Sequence, residues 1–508
     1  MSHPSNQLMT FLPTSIASFP FYRLPFRWLS INRMVHVGVM KHENGRLSRQ
    51  STVEEEEEEK KNHVEDPWTP FSCSQLRLYL FDQLKRSSVI TSWNDFSRLE
   101  KDLTIPPKFT TIRINPLRIT ADEAIEKLKS SIKFRETNNV KIYQHPQLDD
   151  LIVIGLQNDE NESEVVSGGK EIIVDRKCAA AVLRGANIYC GGVIGCPSHL
   201  KPGDEVTVYA DLDRKCLKGW TKKFTHPKMM IARGKSMVSR KELFCPPVSS
   251  GLAVEVRSLK VPMPGSVKIS PYFYPQNLPS VVAVHVLDPQ PGDTVLDMCA
   301  APGGKTSHIA SRMRNEGIVI ALDRQGRRVE KLKENLDILG MNCVLPFKFN
   351  AVKAHDPALP KGPKLEPPFP SEHFDKVIVD APCSGIGNRP KLRSEVLVSH
   401  IHNYPRTQME ILSTAVRLMK VGATLVYSTC SFTIVENEAI VHHILQQYPN
   451  VRLDVQVPHI GITGFPGHHG LSDHQLHLLQ RFLPDSGSND PNRDTIGFFI
   501  AKFVKIKQ

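Results

Sequence analysis

The chain has 508 residues, 40% of them hydrophobic, which excludes a single small domain and leaves room for two to four domains with real cores. Lys and Arg outnumber Asp and Glu by 64 to 53, for a net charge of +11; such a surface attracts polyanions, although the same excess also serves plain solubility. No run of about eighteen uncharged apolar residues occurs, so neither a membrane-spanning helix nor a membrane partner is expected, and the ten cysteines form no CxxC pair, so neither a metal site nor a disulfide framework is expected.

Residues 1–42 lack Asp and Glu and carry Arg23, Arg27, Arg33 and Lys41 among Ser, Phe and Leu. With the acidic run Glu54–Glu59 they read as an extension over 1–70, either disordered or a targeting segment. The protein is expected in the cytoplasm, or in the mitochondrion if 1–42 is a transit peptide. Residues 71–169 form an α+β region: FTTIRIN (109–115) alternates like a strand, and ADEAIEKLKSSI (121–132) places Ala124, Ile125, Leu128 and Ile132 at helical spacing after the cap Thr120. DDLIVIGL (149–156) reads as another strand, and 157–169 as a polar linker. Residues 170–261 are rich in short strands and turns (EIIVD, NIYCGGVIG, EVTVYADL, MMIARG), the grammar of a small β-barrel.

From 262 to 508 the grammar changes. TVLDMCA (294–300), IVIALD (318–323), CVLPFKF (343–349), KVIVDA (376–381), ATLVYST (423–429) and GFFIAKFV (497–504) read as strands. The helices between them include 327–340, closed by Gly340, and one around 407–419; 354–373 is a Pro-rich loop. This alternation predicts an α/β fold with a parallel, doubly wound sheet. Ligands bind such sheets at the carboxyl ends of the strands. There the sequence places DMCAAPGGK (297–305), with Gly303 and Gly304 permitting close backbone approach, and Asp323, an acid able to accept ribose hydroxyls or simply to cap a helix. The turn lacks both GxGxxG and GxxxxGK[ST], which argues against a dinucleotide or a nucleoside triphosphate. Asp380 and Cys383 in VDAPCSG follow the fourth strand, and Cys430 in STC ends the fifth. One buried cysteine is usually an inert core residue; two at neighbouring strand ends, one beside Asp-Ala-Pro, point to chemistry.

Together DMCAAPGGK, ALD (321–323), DAPCSG (380–385) and YSTCS (427–431) resemble the Nop/Sun family of RNA cytosine-5 methyltransferases, over about residues 275–505. The resemblance implies a Rossmann-like methyltransferase domain using S-adenosyl-L-methionine. Its methionine part would lie on Cys299, Ala300, Ala301, Pro302, Gly303, Gly304 and Lys305, its ribose on Asp323, with Asp380 alongside. Where the family has an acid near the adenine this chain has Asn350, which can still accept from an adenine amino group without the charge, so weaker cofactor binding is expected. Carbon 5 of cytosine becomes nucleophilic only after a thiolate adds to carbon 6, and the adduct later needs a base to release it. By resemblance Cys430 attacks, Cys383 assists release, Asp380 holds ring nitrogen 3 and Lys305 supports the charge. DNA cytosine-5 methyltransferases use a Pro-Cys nucleophile, so Cys383 in Pro382–Cys383 stays open as the alternative.

The middle region also resembles a PUA domain, an RNA-binding β-barrel, through LRGA (183–186), PGD (202–204) and ARGKSMVSR (232–240). Arg184 and Tyr189 there can contact phosphate and stack on unpaired bases, with Lys215, Lys218, Lys222 and Lys223 nearby; alternatively Tyr189 packs inside the barrel and the lysines only solvate a loop. Asn277 in QNLPS is a candidate RNA contact or a turn residue. A PUA domain ahead of the catalytic domain marks the branch that methylates transfer RNA near the CCA end and messenger-RNA hairpins, so RNA, with transfer RNA first, is the expected partner of a monomer. A ribosomal-RNA enzyme and a non-catalytic RNA-binding relative remain the alternatives.

Overall fold

A computed structural model describes residues 69–131, 140–156, 168–245, 250–259, 267–467 and 470–507, all within one unit, Glu58–Gln508. The extension read over 1–70, apart from Thr69 and Pro70, and most of the linker 157–169 lie outside the described residues.

The first elements among the described residues are two helices that the sequence reading passed over, α1 (Ser74–Arg86) and α2 (Trp93–Thr104). Leu76, Leu80 and Leu84 recur one turn apart along α1 and are buried. A capping box starts α2: the Asp95 N–H donates to Ser92 and the Ser92 N–H donates back to the Asp95 carboxylate. Phe81 stacks on Trp93 with ring centres 4.0 Å apart. The apolar faces of both helices share a core with Ile386, Ile401, Phe432 and Phe465, far along the chain.

Strand β1 (Thr110–Ile114), helix α3 (Ala121–Ser131) and strands β2 (Val140–Gln144) and β3 (Leu151–Leu156) follow. Thr120 does cap α3, exchanging bonds with Glu123. The next region holds β4 (Lys170–Val174), α4 (Arg176–Leu183), β5 (Ile188–Tyr189), β6 (Val193–Gly195), β7 (Glu205–Asp211), β8 (Lys228–Ser236), α5 (Arg240–Phe244) and β9 (Leu252–Leu259). Its sheet runs β5-β9-β8-β7-β4-β6, and the two edge strands are joined by only Cys190–Gly192, so the sheet curls back on itself. Ile172, Val182, Val208, Ala232 and Val254 fill it.

β10 (Phe273–Pro275) corrects one boundary. The sequence reading gave everything after residue 262 to the catalytic domain, yet β10 pairs antiparallel with β1 and completes a sheet β10-β1-β3-β2. The β-rich module is therefore inserted between two strands of one N-terminal sheet. A three-residue strand carries too little alternation to be read from sequence.

The remaining elements are α6 (Leu278–Leu287), β11 (Thr294–Asp297), α7 (Gly304–Arg312), β12 (Ile318–Asp323), α8 (Gly326–Leu339), β13 (Val344–Lys348), β14 (Phe374–Asp380), α9 (Val398–Leu418), β15 (Met419–Thr429), α10 (Glu438–Gln447), β16 (Val451–Leu453), α11 (Asp473–His477), β17 (Leu479–Phe482) and β18 (Phe498–Lys505). Their sheet runs β13-β12-β11-β14-β15-β18-β16, with β17 also on β18. β11 to β15 are parallel and β18 enters antiparallel. Alternate strand residues point to opposite faces. Leu296, Ile320 and Val377 pack with Leu412 and Ile440 of α9 and α10, whereas Val295, Val319 and Ile378 pack with Val282, Ile309 and Leu336 of α6, α7 and α8. Helix α9 is nine residues longer at its start than read, because Pro405 lies inside it and reads as a breaker. The chain leaves β11 toward β12 and β13, then returns to β14 on the other side; the crevice for a ligand opens at that reversal.

Candidate active site

At the reversal point the backbone turns sharply after β11. Gly303 has φ 104°, a left-handed conformation that disfavours any side chain, and a Cβ there would lie 2.7 Å from Leu332 of α8. A Cβ on Gly304 would lie 3.2 Å from the Tyr274 ring. The glycines thus let the turn fit between α8 and β10. From α8, Asn335 donates to the Pro302 carbonyl at 2.8 Å and Arg328 donates to the Ala301 carbonyl. Gly303 offers no side chain to cap α7, so the first-turn N–H groups of that helix stay available to an anion such as the carboxylate of an amino acid.

The strand-end acids line up along the crevice. Asp323, at the end of β12, is buried; one oxygen accepts from the Gln325 N–H at 2.9 Å, and the other stands 3.4 Å from Arg328 with lone pairs to spare for hydroxyls. Asp297, at the end of β11, accepts from Thr306 Oγ1 at 2.7 Å, and burial pushes its carboxyl up to about 6. Asn350, half-buried after β13, caps the turn 351–353 by accepting from the Val352 N–H at 3.3 Å. These groups fit S-adenosyl-L-methionine: an uncapped helix start for its carboxylate, an acid for its ribose hydroxyls, and an amide where the adenine would lie.

Asp380 closes β14. Its Oδ2 pairs with Lys305 Nζ at 2.8 Å, and its Oδ1 accepts from Ser428 Oγ at 2.8 Å. Beyond it, Cys383 and Cys430 bring their sulfurs to 3.3 Å of each other. Parallel pairing of β14 with β15 sets this meeting, since Asp380 stands opposite Ser428 and each chain then turns toward the same edge. The two thiols differ electrostatically. Cys430 is drawn below the ordinary thiol range by its contact with Cys383, by Asn388 Nδ2–H, which donates to its sulfur at 3.4 Å, and by the Lys305 charge, against burial and the Asp380 charge. Cys383 is pushed well above that range by its bond to Cys430 and by burial. Asn388 donating to Cys430 alone favours Cys430 as the thiol that ionises first and Cys383 as the one that keeps its proton. Half-buried Cys299 is also pushed well above the thiol range by desolvation, which keeps it an inert thiol beside the turn.

Several functional groups here escaped the sequence reading. Asn388 aims at Cys430, and Lys391 donates to the Gly385 carbonyl at 2.9 Å, with burial lowering its amine to about 8. Both lie in the turn after Cys383, where one sequence shows only polar residues around a proline.

The chain matches the family model described as 16S rRNA methyltransferase RsmB/F over residues 284–504 and the PUA domain over 170–258. It is 40% identical over 443 residues, 81% of this chain and 92% of the other, to the human protein named tRNA (cytosine(72)-C(5))-methyltransferase NSUN6. This chain belongs to the RsmB/F methyltransferase family. A family member from Arabidopsis thaliana, named rRNA (cytosine-C(5))-methyltransferase NOP2C, is 31% identical over 80% of this chain and 87% of its own. The crystal structure of NSun6 from Pyrococcus horikoshii with SFG superposes with a TM-score of 0.67 at 30% identity, covering 84% of this chain and 98% of that one. S-adenosyl-L-methionine is the cofactor that this family fold and this cradle accept.

The residues expected to touch RNA lie elsewhere. Tyr189 is 55% exposed, so it does not pack inside the sheet, and Arg184, Lys215, Lys218, Lys222 and Lys223 are exposed on the same inserted domain. Asn277 is exposed at the start of α6 and makes no side-chain cap bond. The inserted domain docks on the segment that follows Cys383. Arg176 and Arg214 pair with Glu395 at 2.6 and 2.9 Å, Asp213 pairs with Arg393 at 3.0 Å, and Leu392 packs on the domain's core.

Proposed function

We propose that the protein methylates carbon 5 of a cytosine near the 3′ acceptor end of transfer RNA, with Cys430 as nucleophile. The observation that carries this is the pair of sulfurs 3.3 Å apart, with Asn388 donating to Cys430, beside an acid held by Lys305. The Cys430 thiolate adds to carbon 6 of the ring. Ring nitrogen 3 takes a proton from solvent as charge builds there and hydrogen-bonds through it to Asp380, which Lys305 holds in place; that proton returns to solvent when the ring is restored. S-adenosyl-L-methionine supplies the electrophilic methyl group to carbon 5. Once the Cys430 sulfur is bonded to carbon it no longer accepts from Cys383, and the largest influence raising the Cys383 thiol is gone. Cys383 can then lose its proton to solvent and take the one on carbon 5, which expels Cys430 and restores the aromatic ring. The donors converging on Cys430 favour it over Cys383 as nucleophile, against the Pro-Cys alternative.

Transfer RNA as substrate rests on the inserted domain and on the activity for which the human and archaeal relatives, aligned over 92% and 93% of their own length, are named. The Arabidopsis relative names ribosomal RNA instead. Incubation with radiolabelled cofactor separates the two. Label is expected in total transfer RNA at a cytosine of the acceptor stem and not in ribosomal RNA; the reverse distribution would move the substrate to ribosomal RNA, and label in neither would point to a non-catalytic relative.

A further inference from the structure

Glu436 lies in the turn between Cys430 and α10 and is fully buried. Its Oε1 accepts from the Ser384 N–H at 2.7 Å. Its Oε2 accepts from the hydroxyls of Ser384, Ser431 and Thr433 at 2.6, 2.7 and 2.7 Å. Gln408 reaches Oε1 at 3.5 Å while donating to the Pro382 carbonyl at 2.9 Å. Every one of these donors is neutral. A carboxylate withdrawn from water without a cation persists only where donors converge on it, and such charge-assisted bonds are about twice as strong as neutral ones. Ser384 follows Cys383 and Ser431 follows Cys430, so a single carboxylate grips the peptide neighbours of both thiols. The backbone of Glu436 is itself fixed, its carbonyl accepting from the buried Tyr427 hydroxyl at 2.6 Å.

We propose that Glu436 is a positioning residue for the thiol pair: it holds the two cysteine turns at their mutual distance, and its negative charge keeps the shared proton on Cys383. The charge acts unequally: Glu436 accepts from the peptide N–H next to Cys383 and raises the cost of a thiolate there, whereas at Cys430 the opposing carboxylate is Asp380, which is paired with Lys305, and Asn388 donates to the sulfur. The inference rests on the assignment of Cys430 as nucleophile and adds the residue that makes the two sulfurs unequal.

Alkylation of the full-length protein by iodoacetamide, without RNA or cofactor, tests it. The Cys383 and Cys430 peptides are quantified by mass spectrometry between pH 6 and pH 9.5. Wild-type protein is expected to be modified first at Cys430. Glu436→Gln keeps the shape and removes the charge, and its preference for Cys430 is expected to fall about tenfold, as one pKa unit would give, with cofactor affinity unchanged. Glu436→Asp, which keeps the charge, is expected to retain most of the preference. A folded Glu436→Gln protein with wild-type preference would show a purely structural carboxylate and overturn the proposal. If Glu436→Gln does not fold, the Ser384→Ala, Ser431→Ala double variant takes its place: a several-fold smaller preference supports the proposal, and an unchanged one overturns it. The assay involves no RNA, so its failure leaves the transfer-RNA reading standing. Wild-type protein that alkylates as expected but never methylates RNA would remove that reading and leave this one.

Discussion

At the residue scale the site depends on which sulfur carries charge. Asn388 is exposed, yet its amide donates to Cys430 at 3.4 Å, so it acts on the nucleophile from the solvent side. A thiol lowered by hydrogen-bond donors is charged at lower pH, so the acidic limb of the pH–rate profile should lie below the ordinary thiol value of about 8.5. Asn388→Ala removes one donor. Its limb should shift upward, and its rate at pH 7 should fall several-fold and recover at higher pH; a profile superimposed on wild type would exclude Asn388 from setting the charge. The two cysteines, Asp380 and Lys305 were legible because their motifs have fixed spacing at strand ends. Asn388, Lys391 and Glu436 were not, because each reaches the sulfurs across a fold of the chain and looks locally like an ordinary polar turn residue.

At the element scale one segment, from Cys383 to Glu395, joins everything. Ile386 packs under α1 and α2, Leu392 under the inserted domain, and Arg389 is fully buried between them. Arg389 pairs with Asp494 at 2.6 Å and donates to the carbonyls of Ile105 and Thr495 at 2.9 and 2.8 Å. Removing one partner of such a pair leaves a buried charge unmatched. Arg389→Ala should therefore lose about 3–5 kcal/mol of stability in urea unfolding, and a loss under 1 kcal/mol would show that the segment relaxes freely. The parallel strands and amphipathic α8 were readable from alternation and helical period. The helices α1 and α2 were not, since their apolar faces meet a core built by residues three hundred positions later, and α9 was cut short by Pro405, which sits in its interior.

At the scale of the whole molecule, the inserted domain and the thiol site are joined by the contacts of Arg176, Arg214 and Asp213 with the segment after Cys383. The module's β-rich character was plain in the sequence. That the module is inserted was also read from the sequence; that it interrupts the N-terminal sheet was not, because β10 is three residues long and pairs with a strand some 160 residues earlier. If the module selects RNA, Arg184→Ala, Tyr189→Ala and Lys218→Ala together should weaken binding to transfer RNA at least tenfold in a filter assay while leaving cofactor affinity unchanged. Equal binding by the triple variant would place the RNA elsewhere. The most direct test of the whole account is a denaturing gel of the two cysteine variants incubated with transfer RNA and cofactor. Cys383→Ala is predicted to accumulate a band of protein covalently joined to RNA, and Cys430→Ala to give neither that band nor product. A covalent band in Cys430→Ala, or its absence from both variants, would contradict the assignment of Cys430 as the nucleophile.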